Sequence, residues 1–158
     1  MSMRAFMRIE LVPPELGAAP GVRTFESADI PALGELMYRA YLNTIDYDGE
    51  TLEQSAAVIV KTVEGEYGEF VASCCKVFVQ GGALVSATMI TRFQNRPFVA
   101  FTFTDPALSG QGLARSCMQA AMAALFTQGE RALRLVVTLA NAPAVRLYEK
   151  LGFRVERE

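Results

Sequence analysis

The spacing of hydrophobic residues in the first part of the chain is helical. From residue 30 to residue 41, apolar side chains recur every three or four positions, which predicts a helix that Ser27 or Asp29 can cap. A second helix is predicted over residues 51–63. The segment between them, residues 43–50, carries turn formers and three acidic side chains. It is either a solvated loop or one wall of a cleft that attracts a cationic amine.

The second half of the chain alternates between strand and helix patterns. Runs of β-branched and aromatic residues bounded by turns at Gly81-Gly82 and Asn95 predict an antiparallel meander, which strong helix formers follow. The predicted strands are residues 75–79, 84–93, 97–104 and 133–138, and the predicted helices are residues 112–128 and 143–151. This order predicts an α/β (α+β) fold, with a mixed, mostly antiparallel sheet and helices on both faces.

The N-terminal region has a different texture. Residues 7–12 alternate in polarity and precede a segment rich in Pro, Gly and Ala, so residues 1–21 are predicted to form an edge strand or a flexible arm. No repeat or linker interrupts the remainder. With 158 residues, 51% of them hydrophobic, the chain has the size and the apolar content of one domain over residues 1–158.

Charge and targeting signals narrow the range of partners. The 15 basic and 17 acidic residues give a net charge of -2, which offers no field for a polyanion, so no nucleic acid partner is expected. No apolar run approaches the roughly 18 residues of a membrane span, and the N-terminus lacks the pattern of a secretory peptide. We therefore expect a cytoplasmic protein without membrane association.

The absence of histidine restricts the chemistry most. It excludes nucleophile pairs of the Ser-His and Cys-His kinds and the common imidazole metal sites. Cys74, Cys75 and Cys117 have neither the number nor the spacing of a disulfide framework or a zinc site, so we expect buried, reduced thiols and no metal. Cys117 lies in a predicted helix without an activating neighbour, and we do not expect it to be a nucleophile.

A turn rich in small residues, Ser109-Gly110-Gln111-Gly112-Leu113-Ala114, connects a nearly continuous apolar strand to the next predicted helix. Such a turn leaves backbone N–H groups free at the positive end of the helix, where a pyrophosphate binds well. Taken alone, it also fits an ordinary turn. It lacks the Lys-Ser/Thr pair of a P-loop and the third glycine of a dinucleotide-binding motif.

A second motif lies downstream, between Asn141 and Phe153. Asn141 can cap the short helix, and Gly152 fits a left-handed C-terminal cap. About two helical turns separate Asn141 from Tyr148, so both side chains point to nearly the same side. Taken alone, Tyr148 also fits an ordinary amphipathic helix with its hydroxyl at the rim.

Together the two segments resemble the GNAT superfamily of acyl-CoA-dependent N-acyltransferases. Gly112-Leu113-Ala114 fits the last three positions of its cofactor motif, Arg/Gln-x-x-Gly-x-Gly/Ala. The later family motif, Asn-x-x-Ala-x-x-Leu-Tyr-x-x-x-Gly-Phe, matches at Asn141, Ala144, Leu147, Tyr148, Gly152 and Phe153. One departure is Ser109, where the family usually has Arg or Gln. The shorter side chain removes one contact with the pyrophosphate and leaves the backbone amides.

The resemblance implies a sheet whose central strands splay apart around acetyl-CoA. The pantetheine arm would pair like a short strand with the backbone of Thr102, Phe103 and Thr104, in the gap beside residues 133–138. Asn141 would line the cofactor channel. The pyrophosphate would be held by Ser109, Gly110, Gln111, Gly112, Leu113 and Ala114.

The implied function is transfer of an acetyl group from acetyl-CoA to a primary amine of a small molecule, with a peptide or protein amine as a second class of acceptor. Tyr148 would protonate the departing thiolate, because a phenol and an alkyl thiol have similar pKa values. The acceptor pocket would be built from residues 38–50, residues 64–70 and the meander. The base stays open between a chain of water molecules and four acidic candidates. These are Glu66, Glu69, Asp46 and Asp48.

Two other interpretations stay open. A non-catalytic acyl-CoA-binding sensor or assembly module of the same fold would carry the same motifs, and Ser109 leaves room for it. An unrelated α/β domain with coincidental motifs would not be stabilised by acetyl-CoA. Because only five residues follow Phe153, either the sheet is short at an edge that family members usually extend or a partner subunit covers that edge, and a homodimer is a further expectation.

Overall fold

The chain forms one mixed β-sheet with four α-helices, in a computed structural model that describes residues 3–15 and 17–156. The strands are β1 (Arg4–Glu10), β2 (Val22–Thr24), β3 (Lys76–Gln80), β4 (Ala83–Phe93), β5 (Arg96–Thr104), β6 (Ala132–Thr138) and β7 (Arg154–Val155). The helices are α1 (Ile30–Tyr41), α2 (Leu52–Val63), α3 (Leu113–Thr127) and α4 (Ala142–Leu151). The ends of these helices, and of β3 to β6, lie within one residue of their predicted positions.

The sheet has the strand order β2-β3-β4-β5-β6-β1-β7. The meander β3-β4-β5 is antiparallel, and β1 runs antiparallel to β6. The β5–β6 pair is parallel. The prediction of a mixed, mostly antiparallel sheet is therefore confirmed.

Helices cover both faces of this sheet. Ser86 on β4 and Thr104 on β5 point to one face, where their hydroxyls lie 2.9 Å apart, and Cys117 of α3 lies against Ser86. Phe103 precedes Thr104 on the strand, so its side chain points to the opposite face. There it packs on Tyr41 of α1, with ring centroids 6.4 Å apart. Hence α1 and α3 lie on opposite sides of β4 and β5.

A close contact and a capped start fix α2 against α1. A Cβ added to Gly34 would lie 2.9 Å from the Ala56 Cα, so glycine permits the two helices to approach. At the start of α2, the Thr51 hydroxyl accepts a hydrogen bond from the Gln54 backbone N–H at 3.1 Å. The Gln54 side chain in turn accepts one from the Thr51 N–H at 2.8 Å. These two bonds satisfy donors that would otherwise lack partners, and they fix where the preceding loop ends.

The N-terminal strand differs from its prediction as an edge strand or a flexible arm. β1 pairs with β6 along its whole length, from Arg4 opposite Thr138 to Glu10 opposite Ala132, and with β7 on its other side. These pairings place β1 inside the sheet, between β6 and β7. Met1, Ser2 and Leu16, which were part of the same prediction, lie outside the described residues.

Strand β7 forms the edge that the sequence predicted to be short. It contributes two residues, with Val155 opposite Met7 and Arg154 opposite Arg8. The Glu156 carboxylate accepts a hydrogen bond from the Arg134 Nε at 3.0 Å and so extends this edge contact to β6. Across residues 3–15 and 17–156, none of the helices combines the length and the apolar character needed to cross a bilayer.

Candidate active site

The centre of the sheet opens between β5 and β6. Within the described chain these strands share one registered pair, Phe98 opposite Arg134, although β5 continues to Thr104 and β6 to Thr138. Beyond Phe98 the facing edges of the two strands are therefore free of each other. Their N–H and C=O groups can pair with another extended segment. The predicted splay of the central strands is present.

A cavity of about 680 Å³ lies in this gap. Residues 98–102 of β5 and residues 136–138 of β6 line it, and α1, α2, α4 and the loop between α1 and α2 supply other parts of its wall. Cavities of roughly 300–1,000 Å³ are typical of small-molecule sites. The position between splayed strands makes this cavity the candidate active site.

The three residues predicted to pair with pantetheine have different side-chain environments. Thr102 lines the cavity, and its hydroxyl lies 3.2 Å from that of Thr88. Phe103 is buried against Tyr41. The Thr104 side chain points to the face opposite Phe103, and its hydroxyl is hydrogen-bonded to Ser86. A pairing with pantetheine would therefore use their backbone, as the sequence-based hypothesis stated.

The turn predicted to hold the pyrophosphate leads from β5 into α3. The Asp105 carboxylate accepts a hydrogen bond from the Ala107 N–H at 3.0 Å, which begins a single 3-10 turn. Gly110 and Gly112 then adopt φ angles of 79° and 80°, in the left-handed region that glycine tolerates best. A Cβ on either residue would meet no described atom within 4 Å. Backbone conformation, and not crowding, favours glycine here.

The N-terminus of α3 is open at this turn. Gly112 is its N-cap residue, and within the described chain no side chain caps it. The first N–H groups of this 15-residue helix are therefore available to an anion. Residues 109–112 are exposed, whereas Leu113 is buried. The turn does not line the cavity but follows the strand that does.

Tyr148 lies on α4, where its ring packs in the core and part of the side chain lines the cavity. The residue is 8% exposed and its ring packs edge-on against Phe153, with centroids 5.9 Å apart. Its hydroxyl makes no hydrogen bond within residues 3–15 and 17–156. Burial raises the pKa of this phenol well above its ordinary value, and the nearby Tyr41 and Asp46 raise it further. Tyr148 therefore keeps its proton at neutral pH.

Asn141 connects the two sides of the cavity. Its side-chain oxygen accepts a hydrogen bond from the Ala144 N–H at 3.3 Å and so caps α4, as predicted. Its amide nitrogen donates to the Asp46 carboxylate at 2.9 Å. One side chain thus fixes the start of the helix that carries Tyr148 and the loop between α1 and α2.

The four acidic candidates for the base occupy different places. Asp46 lines the cavity, and its charge helps to raise the pKa of Tyr41 to about 12, after the larger effect of burial. Asp48, Glu66 and Glu69 are exposed and lie outside the cavity wall. The structure therefore brings one of the four to the site.

The sequence profile of the acetyltransferase (GNAT) family matches residues 35–153 of the chain. The matched segment begins in α1 and ends at Phe153, so it contains the gap, the glycine turn and Tyr148. The chain belongs to the GNAT family. The fold and the family that the two motifs predicted are thereby confirmed.

Solved structures of GNAT proteins share this fold. One is described as a GNAT-family acetyltransferase from Novosphingobium aromaticivorans, with a TM-score of 0.66 and 24% identity over 98% of this chain and 61% of that one. A GCN5-related N-acetyltransferase from Sphaerobacter thermophilus has a TM-score of 0.73 and 20% identity over 97% of this chain and 48% of its own. The chain thus spans less than two thirds of either protein.

A third similar structure is closer in length. The PaiA N-acetyltransferase from Thermoplasma acidophilum, solved in complex with coenzyme A, has a TM-score of 0.69 and 16% identity over 90% of this chain and 93% of its own. At these identities the likeness concerns the fold. A comparison with curated proteins gives no match.

The cysteines of this GNAT chain are buried and free, as the sequence predicted. Burial raises the pKa of the Cys75 and Cys117 thiols to about 12 each. A thiol that keeps its proton is a weak nucleophile. Neither residue lines the cavity.

Arg4 lines the cavity of the GNAT site and was not identified from the sequence. Tyr41 falls within residues 38–50, which were predicted as part of the acceptor pocket, and Asp46 was not distinguished from three other acids. The alternation over residues 7–12 indicates a strand but does not reach Arg4. Nothing local indicates that β1 lies next to β6, because that pairing joins residues more than a hundred positions apart.

Proposed function

We propose that this chain transfers an acetyl group from acetyl-CoA to the primary amine of a small molecule, with Tyr148 as the general acid. The Tyr148 hydroxyl is the main support for this proposal. The Tyr148 ring is buried, and its hydroxyl has no hydrogen-bond partner within the described residues, while the side chain forms part of the wall of a ligand-sized cavity between two splayed strands. A proton donor held in this way is well suited to protonate a group bound in the gap.

Acetyl-CoA is the proposed donor, bound along β5 and at the start of α3. The edge of β5 at Thr102, Phe103 and Thr104 is not paired with β6, so an extended pantetheine arm can add there like a strand. The left-handed glycines of the turn and the uncapped helix start direct N–H groups to a pyrophosphate. Ser109 offers at most a hydroxyl, so backbone amides provide most of this contact.

The proposed reaction is direct attack of a neutral amine on the thioester carbonyl. A C–N bond forms, the C–S bond of the tetrahedral intermediate breaks, and the thiolate of coenzyme A takes the proton of Tyr148. The proton lost by the attacking nitrogen goes to water, and water returns a proton to the Tyr148 phenolate before the next turnover. Holding donor and acceptor in one cavity makes the step effectively intramolecular.

The environment of Tyr148 suits this role. A phenol with a raised pKa is a weaker acid, but the burial that raises it also disfavours the thiolate that forms beside it. The pKa values of the phenol and of the departing thiol therefore shift in the same direction.

Release of the free thiol from acetyl-CoA in the presence of primary amines tests the proposal. We expect thiol release that depends on both the amine and the protein. If acetyl-CoA binds tightly and raises the melting temperature but no amine stimulates thiol release, the chain is a sensor or an assembly module. If acetyl-CoA neither binds nor stabilises the chain, the donor assignment is wrong.

A further inference from the structure

Aromatic side chains are concentrated at the cavity. The sequence contains five tyrosines and no tryptophan, and all five tyrosines line this cavity. They come from α1, from the loops before and after α2, and from α4, as Tyr38, Tyr41, Tyr47, Tyr67 and Tyr148. Tyr67 is 46% exposed, so packing in the core does not explain its position. Tyrosine rings attract cations to their faces.

Two carboxylates, Asp46 and Glu50, line the same cavity. From the described residues each accepts one hydrogen bond: Asp46 from the Asn141 amide at 2.9 Å, and Glu50 from the Asp48 backbone N–H at 3.1 Å. A carboxylate has about four acceptor positions, so most of them are available to a ligand. Neither carboxylate forms a salt bridge within the described chain.

The cavity wall carries one positive side chain among the described residues. Arg4 stands on β1, opposite Thr138 of β6, whereas both carboxylates come from the loop between α1 and α2. Negative charge therefore exceeds positive charge in the wall, and it is concentrated on the loop side. A cationic ligand suits this arrangement.

The Tyr148 hydroxyl is open to the cavity. The residue is 8% exposed and lines the cavity, and its hydroxyl has no hydrogen-bond partner within the described chain. Among the described residues, the buried side-chain oxygen that lacks a partner is Thr91 Oγ1, so the Tyr148 hydroxyl is still accessible and can hydrogen-bond to a molecule in the cavity.

We propose that the acceptor is a compact dication, an alkyl chain that carries the reacting primary amine and a second ammonium bound by Asp46, Glu50 and the tyrosine rings. This inference rests on the proposed acetyl transfer. The carboxylates suit the second ammonium because a nearby negative charge favours the charged form of an amine, and only a neutral amine attacks. The reacting amine lies away from them, at the thioester.

An alkyl diamine and the amino alcohol of the same chain length test the proposal, because the far end is charged in one and neutral in the other. The diamine also has two equivalent reacting amines, which by itself roughly doubles kcat/KM. We expect kcat/KM to be about tenfold higher for the diamine, mainly through KM. In the double variant Asp46→Asn, Glu50→Gln this preference falls to about that statistical factor of two. The new amide oxygens can still accept the bonds from Asn141 and Asp48. The control Asp48→Asn, an exposed neighbour outside the cavity wall, keeps the preference.

Several outcomes would overturn the dication proposal while acetyl transfer stands. They are a diamine preference no larger than the statistical factor of about two, a neutral peptide N-terminus acetylated faster than the diamine, and a preference lost as fully in Asp48→Asn as in the double variant. If neither probe is acetylated, calorimetry decides. If the diamine binds to the unmodified protein and not to the double variant, the cation subsite is supported, although the proposed reaction is not. Equal binding of both probes would overturn the subsite as well.

Discussion

The proposed donor and acceptor sides of the site differ in how far apart along the chain their parts lie. On the donor side, β5, the turn of residues 109–114 and α4 follow one another within residues 96–151. On the acceptor side, the end of α1, residues 42–50 and Tyr67 meet the donor side only in the fold. The Asp46–Asn141 hydrogen bond joins residues 95 positions apart.

This difference determines which parts of the site can be recognised from short sequence motifs. A glycine turn and a capped helix are local arrangements that need particular residues at fixed spacings. A pocket for an acceptor needs only that suitable side chains meet in space. Asn141 belongs to both sides, because it caps α4 and holds Asp46, and substitutions can separate these roles.

The largest expected effect is on the donor side. Replacing Tyr148 with Phe removes the proton donor and retains the ring that packs on Phe153. We expect kcat to fall about 100-fold while the affinity for acetyl-CoA is unchanged. Steady-state kinetics and calorimetric titration with acetyl-CoA measure the two quantities. An unchanged kcat would exclude Tyr148 as the general acid.

The turn of residues 109–114, proposed to bind the pyrophosphate, gives the next largest expected effect. Gly112→Ala places a Cβ on a residue with φ of 80°, which costs about 1–2 kcal/mol or shifts the turn. We expect the KM for acetyl-CoA to rise about tenfold through the lost amide contacts, with the KM for the amine unchanged.

Gly129→Ala is the matched control for this substitution. Gly129 has φ of 94°, has no described atom within 4 Å of an added Cβ, and follows the other end of α3. It should lower stability by a similar amount and leave the KM for acetyl-CoA unaltered. Equal KM values in the two variants would remove the turn from the cofactor site.

Asn141 gives a smaller effect that separates the two sides. Asn141→Ala loses the α4 cap, at a cost of about 1 kcal/mol in unfolding free energy, and the bond to Asp46. Asn141→Ser can still cap the helix but is too short to hold Asp46. We expect both variants to raise the KM for the amine severalfold, with stability lowered mainly in the alanine variant. A change confined to the affinity for acetyl-CoA would favour the role in the cofactor channel predicted from the sequence.

The smallest expected effect is on stability at high pH, and it involves a tyrosine from each side, Tyr41 and Tyr148. Burial raises the pKa of Tyr41 to about 12, and that of Tyr148 also lies above its ordinary value. The folded protein holds these protons when the unfolded chain releases them, near pH 10 for a phenol. Their contribution to stability is complete below about pH 10 and is lost as the pH rises towards the folded-state values.

Melting temperatures across this range test the titration. The temperature should fall between about pH 9 and pH 11, beginning with the buried thiols of Cys75 and Cys117, whose pKa values are also raised to about 12. Tyr41→Phe and Tyr148→Phe should each make the fall shallower. A melting temperature that stays constant across this range would contradict the raised pKa values.

The sequence predicted the fold closely because its elements are locally consistent. Helical spacing, the cap at Asn141, and glycines at the start of α3 and the end of α4 set most boundaries within one residue. β1 was predicted less well, because alternation identifies a strand but not its neighbours. That pairing depends on packing across the whole sheet.

The candidate site also contains residues that the sequence predicted and contacts that it did not. Tyr148, Asn141 and Thr102 were predicted and line the cavity, whereas the position of Asp46 beside Asn141 emerged only in the fold. Four acids had equal standing in the sequence because their shared feature, charge, says nothing about distance. The loop between α1 and α2 acquires its role through one hydrogen bond to α4.

Whether one cavity serves donor and acceptor together is best measured with a conjugate that joins the sulfur of coenzyme A to an alkyl diamine through an acetyl linker. Calorimetry compares its affinity with that of coenzyme A alone. If both sides are occupied at once, linkage should make the conjugate bind at least about 100-fold more tightly than coenzyme A. A conjugate that binds no more tightly than coenzyme A would show that the two sides do not form one site.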